Sequence, residues 1–203
     1  MKRFEQLADE KTIEKTVSSL KENGIETFVV KNGEEAKKKV LELLPERSEV
    51  MNMTSVTLDT IGVSKEIQES GKFNSVHKKL MSMDRNTQGS EIRKLGTTPE
   101  WVIGSVHAVT EDGKVLIASN SGSQLPAYAY GAEHVIWVVG TQKIVKDVDG
   151  GIKRIYEHSF PLEDERARKA YGVGSGVNKI LIVNKEISSG RITMILVKEK
   201  LGF

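Results

Sequence analysis

The segment His134-Val135-Ile136-Trp137-Val138-Val139-Gly140 is apolar at every interior position, with no alternation between polar and apolar residues. A strand that reads this way is buried on both faces, as strands of helix-covered parallel sheets are. It confines the chain to an α/β architecture, with helices on either side of a sheet. The N-terminal quarter agrees. Ile13, Val17 and Leu20 recur at helical spacing, and Asn23-Gly24 supplies a stop. Ile25 to Val30 is a short strand-like run. Asn32 is placed to cap a second helix, with Glu35 three residues on in a box-like pattern. Ala36, Val40 and Leu43 form its apolar stripe, Pro45 ends it, and Glu49 to Met53 reads as the next strand. Helix, strand, helix, strand at this spacing predicts a parallel βαβ unit.

Residues 54–100 read as a helical layer. Val56, Leu58 and Ile61 mark one short helix, Ser64 to Ser70 a second, and Phe73, Val76, Leu80 and Met81 a further helical face. From Trp101 the pattern turns to β. Asp112-Gly113 is a two-residue hairpin signal between Val102–Glu111 and Lys114–Ser119. Ser123 is placed to cap a helix from Gln124 to about Gly131, with Pro126 tolerated in its first turn. A helix is expected from Thr141, with Ile144, Val148, Ile152 and Ile155 inward and Gly150-Gly151 as a potential break. Another helix near Leu162–Tyr171 and strands at Lys179–Val183 and Ile192–Val197 close the chain. The expectation is one domain over residues 1–203: an α/β sandwich, mostly parallel, with an antiparallel edge and a helical layer.

Composition narrows the function. Net charge is only +2, and no basic block interleaves with aromatics, so neither nucleic acid nor a membrane surface is an expected partner. Lys37-Lys38-Lys39 lies on the second helix and reads as a solvated face. The absence of cysteine removes disulfides, thiolate metal sites, protein-ligated iron–sulfur clusters and a Cys nucleophile together. His77, His107, His134 and His158 are widely spaced, with no carboxylate at metal-motif spacing, so no metal site is expected. Met1 to Glu5 carries no apolar signal core and no apolar run approaches a membrane span; a cytoplasmic protein is expected.

The candidate binding site is the loop Ser119-Asn120-Ser121-Gly122-Ser123, at a strand-to-helix turn. Hydroxyls and backbone N–H groups there suit the oxygens of a phosphate or carboxylate. An ordinary cap and turn is the competing reading; the density of donors favours a site. Asn52, Thr54 and Ser55 stand at the carboxyl end of one strand, and Gly140 and Lys143 after another, where open α/β sheets place ligands. Thr54 as a simple helix cap is an equal alternative. Thr110 and Glu111 end the hairpin strand that carries His107. A carboxylate there is a candidate base or nucleophile, although a solvated turn residue is the more ordinary role. The glycine-rich stretch from Tyr171 to Lys179 matches neither nucleotide fingerprint. It reads as a flexible loop from which Asn178 and Lys179 are placed to reach the site.

These residues resemble the LUD-domain family, the lactate-utilisation group that includes lactate-utilisation protein C and its YkgG-like relatives. Thr110-Glu111-Asp112-Gly113 is similar to the family's Thr-Glu-Thr-Gly hairpin, with Asp112 standing where the family often has Thr. His134–Gly140 is similar to its apolar strand, and Ile192 to Phe203 to its C-terminus. The resemblance implies a fold of the NagB/RpiA/CoA-transferase type, a three-layer α/β sandwich. It also implies a role in oxidation of L-lactate, a 2-hydroxy acid, to pyruvate together with iron–sulfur partner proteins. No cofactor bound by this chain alone is implied. Expected partners are a small anionic or polar ligand and those redox proteins, with homodimerisation left open. The alternative is a stand-alone isomerase or acyl/CoA-transferase-like enzyme that binds a phosphosugar or CoA thioester at Ser119–Ser123.

Overall fold

The computed structural model describes residues 4–203. Its centre is a parallel six-stranded sheet in the order β1-β10-β7-β4-β2-β3. The strands are β1 (Ile25–Val30), β2 (Glu49–Asn52), β3 (Asn74–Ser75), β4 (Trp101–Gly104), β7 (His134–Gly140) and β10 (Ile192–Val197). β7 lies between β10 and β4, which explains its unbroken apolar run. Val135, Trp137 and Val139 enter one core cluster, while Ile136 and Val138 enter the other. Fully burying side chains of this kind is worth about 1.5–3 kcal/mol each.

One face of the sheet is covered by α2 (Gly33–Leu43), α3 (Val56–Thr60) and α4 (Val63–Glu69), through Ala36, Val40, Leu58, Val63 and Ile67. The cap read from the sequence forms: Asn32 accepts the Glu35 N–H at 3.0 Å, and the Glu35 carboxylate accepts the Lys31 N–H at 2.9 Å. α5 (Val76–Met81) packs beside β2, and α6 (Gly89–Thr97) packs on α5 and on the turn Ala127–Gly131.

The opposite face carries α1 (Glu10–Glu22) and a second sheet in the order β8-β5-β6-β9. It comprises β5 (Ala108–Thr110), β6 (Val115–Ser119), β8 (Ile144–Val145) and β9 (Lys179–Val183), and holds all the antiparallel pairings. Its inner residues Val109, Val115 and Ile117 share a core with Trp137 and Met194. Its outer residues Ala108, Leu116 and Ala118 pack with Ile155 on the helical segment α7 (Val148–Arg154) to α8 (Phe160–Tyr171). The architecture is a three-layer α/β sandwich, with the small sheet and its helices as the third layer.

Three local expectations are corrected. The run Val102–Glu111 is not one strand: it breaks at residues 105–107, where the chain leaves the large sheet for the small one. The expected helix from Thr141 begins instead as a short 3-10 turn, Thr141–Lys143, followed by β8, in which Ile144 pairs with Val109. The true helix starts later, capped by Asp147, and runs through Gly150-Gly151 without a break. A Cβ on Gly151 would stand 2.8 Å from a Leu116 methyl, so this glycine lets the helix lie close on β6. Ser123 caps nothing; its N–H is bonded to Ser121 Oγ, and the following π-helical turn Ala127–Gly131 has no side-chain cap. No helix among the described residues is long and apolar enough to cross a membrane.

Candidate functional site

The parallel strands end on one side of the sheet, and the carboxyl ends of β2, β4 and β7 feed a cavity of about 810 Å³. Thr54, Ser55 and Thr57 come from the β2 end, Ser105 from the β4 end and Lys143 from the turn after β7. The small sheet adds His107 and Ala118 with the loop Ser119–Ser123, and α5 and α6 form the outer wall. Beyond the carboxyl end of β1, where Glu199 accepts the Gly33 N–H at 2.8 Å, lies a separate, more open cavity of about 900 Å³.

Lys143 is 2% exposed. Its Nζ lies 3.1 Å from Ser105 Oγ and 3.3 Å from Thr57 Oγ1. Burial, then the neighbouring Arg154, push its pKa well below the ordinary lysine value. Arg154 is fully buried behind the wall and donates to His107 O at 2.5 Å and Ser159 Oγ at 2.8 Å. Its Nε and second terminal nitrogen have no hydrogen-bond partner among the described residues. Burial lowers its pKa to about 10. His107 is held neutral, its pKa lowered to about 3 by burial and then by Lys143 and Arg154. Among the described residues, no carboxylate pairs with Lys143 or Arg154. Of the acidic residues lining the cavity, Glu163 is held in a two-bond pair by Arg166, and Asp59 stands on α3. A buried basic group without a counter-charge is costly, and an anion beside it would remove much of that cost.

Tyr128 lines the cavity with Phe160, Tyr171 and Phe203, and its ring meets Trp137 edge-on at 5.6 Å. A Cβ on Gly104 would overlap the Tyr128 hydroxyl, so the glycine ending β4 makes room for that ring. Arg191 holds the π turn carrying Tyr128, donating to the carbonyls of Ala127, Tyr128 and Ala132 and pairing with Glu186 at 2.7 Å.

The sequence candidates divide. Thr54, Ser55, Ser119, Asn120, Ser121, Gly122, Ser123 and Lys143 come together around the cavity. The loop's donors are partly consumed internally: Ser119 Oγ accepts the Gly122 N–H at 2.8 Å and donates to Gln124 at 2.9 Å. Gly122 has φ +86°, a left-handed turn that favours glycine. Asn178 and Lys179 grip this loop from outside, through Asn120 Oδ1 at 2.6 Å and Ser121 O at 2.9 Å, and do not line the cavity. Asn52 is buried, its Oδ1 without a hydrogen-bond partner among the described residues, and Gly140 packs against the backbone of Glu199 and Leu201. Thr110 and Glu111 lie at the other end of the hairpin. There Glu111 pairs with Lys15 of α1 at 2.8 Å, and Asn23 donates to the carbonyls of Asp112 and Gly113.

Sequence reasoning missed Thr57, Ser105, Tyr128 and Arg154. Ser105 was within reach of the strand-end rule that selected Thr54, because it follows β4 directly. Arg154 carries no such signal, since a charged residue in a helix reads as solvated.

The model of the LUD domain matches residues 13–200. The chain belongs to the LUD-domain family. The crystal structure of a DUF162 family protein from Deinococcus radiodurans has the same fold as this LUD domain. The TM-score is 0.58, with 10% identity, over 95% of this chain and 99% of that one. No curated protein matches the LUD domain's sequence.

Proposed function

We propose that this LUD domain binds a small organic acid of the 2-hydroxy or 2-oxo class and serves oxidation of L-lactate to pyruvate. In this reading the chain holds the acid, and iron–sulfur partner proteins carry the electrons. The supporting observation is Lys143, buried at the cavity wall with Arg154 buried behind it, neither of them ion-paired to a carboxylate among the described residues. The ligand's carboxylate supplies the missing charge, and the hydroxyls of Thr57 and Ser105 take its second oxygenated group. Thr54, Ser55 and the Ser119–Ser123 loop close the polar side.

A second reading, an isomerase or acyl/CoA-transferase-like enzyme for a phosphosugar or CoA thioester, draws on the size of the cavity. About 810 Å³ lies in the range of sites for much larger ligands. Arg85 and Arg93 at the mouth would suit a phosphate.

A thermal-shift series separates them. A ligand that binds only the folded state raises the melting temperature with concentration. The acid reading expects shifts with L-lactate or pyruvate, none with lactamide, and loss of the shift in Lys143→Met. A shift confined to phosphosugars or CoA thioesters would replace it with the second reading.

A further inference from the structure

We propose that Lys143 is a nucleophile, and that its Nζ condenses with the ketone carbon of a 2-oxo acid in the cavity to give an imine. The proposal rests on the reading that the cavity takes 2-hydroxy and 2-oxo acids, and goes further by separating the two chemically. An alcohol carbon offers nothing for an amine to attack, so only the oxidised acid is held covalently.

Three observations carry it. Lys143 is buried at the cavity wall, yet among the described residues no carboxylate pairs with it to fix it as a structural ammonium. A desolvated amine beside a second cation favours its neutral, nucleophilic form, and Arg154 is that second cation. Its side-chain hydrogen-bond partners among the described residues are both hydroxyls, Ser105 Oγ at 3.1 Å and Thr57 Oγ1 at 3.3 Å. A hydroxyl both accepts and donates, so it can pass protons that an ammonium–carboxylate pair would lock in place.

The step balances without any further reagent. The Nζ lone pair attacks the ketone carbon, and the carbonyl π pair moves to oxygen, which takes a proton from nitrogen through the neighbouring hydroxyls. The carbinolamine then expels that oxygen as water, carrying the second amine proton, while the nitrogen lone pair closes the C=N bond. One amine and one ketone become one imine and one water, with no net oxidation or reduction. A protonated imine would lie one carbon from the ligand's own carboxylate, so the buried charge is matched by the ligand rather than by the protein.

Reductive trapping tests this. The intact chain is incubated with pyruvate and cyanoborohydride, and the adduct is located by mass spectrometry of the whole chain and of its peptides. The expected result is a first adduct on Lys143, heavier than the free chain by the ligand's mass less one oxygen atom. L-Lactate should give none. Lys143→Arg, which keeps a cation but not the nucleophile, should abolish the Lys143 adduct. Thr57→Val with Ser105→Ala should slow trapping on the order of a hundredfold. Thermal melts of every variant establish that it is folded. If pyruvate raises the melting temperature but labelling is absent from Lys143 or spread over surface lysines, the nucleophile is overturned while the acid site stands. If pyruvate neither binds nor traps, both are overturned.

Discussion

His107 Nδ1 accepts the backbone N–H of Ala118 at 3.1 Å, which fixes the imidazole as its Nε2–H tautomer and leaves no room for a proton on Nδ1. The pKa of His107 is lowered to about 3 from 6.5, so the unfolded chain binds a proton that the folded one refuses between those values. The contribution is fully present above pH 6.5 and is lost as pH falls toward 3. Each pH unit inside the window costs about 1.4 kcal/mol. Urea titrations between about pH 6.5 and 5, above most carboxylate titration, should show this slope, and His107→Asn should flatten it.

Lys143→Met keeps the length of the side chain and removes an amine that burial disfavours. The variant should be as stable as the parent or more so, by about 1 kcal/mol, and lose its response to small acids. Thermal melts with and without ligand check both. A variant that unfolds would show that the amine is required by the fold itself.

Glu111 pairs with a lysine that is 62% exposed, on the far side of the hairpin from the cavity. Glu111→Gln should change stability by less than about 1 kcal/mol and leave ligand affinity intact. Isothermal titration of the variant is the check.

Arg191 and Glu186 are only 10% and 11% exposed in their side chains, and Arg191 also holds three carbonyls of the segment that positions Tyr128. Arg191→Met should cost about 3–5 kcal/mol and weaken ligand binding together with it. Arg191→Lys should recover little, because one ammonium cannot span those acceptors. Denaturation midpoints and ligand titrations on both variants decide it.

Gly151→Ala sets helix propensity against packing. The propensity gain is about 1 kcal/mol, whereas the added methyl meets Leu116 at 2.8 Å. Overpacking of this kind costs about 1–3 kcal/mol. A net loss of stability in urea is expected.

Much of the fold was legible where local pattern and tertiary role coincide. The apolar run of β7, the Asn32–Glu35 cap and the Asp112-Gly113 turn each carry their own signal. The failures share one cause. Val102–Glu111 has strand character throughout, and nothing local says that residues 105–107 cross from one sheet to another. Ile144, Val148, Ile152 and Ile155 keep helical spacing, yet Ile144 answers to Val109, thirty-five positions earlier. The site followed the same division. Strand-end residues such as Thr54 and Lys143 were within reach of a general rule for α/β sheets. The counter-charge problem at Lys143 and Arg154 emerges only when the chain closes around them.

Helix α6 contributes no buried residue, although Ile92, Arg93, Gly96 and Thr97 border the cavity. Folding asks almost nothing of its sequence, whereas its side chains line the space a ligand would fill. Selection can therefore rewrite what this chain admits by changing residues along α6, while the floor around Lys143 stays fixed by the sheet. Diversity of ligand among chains of this build would then be recorded first in a helix that their stability never registers.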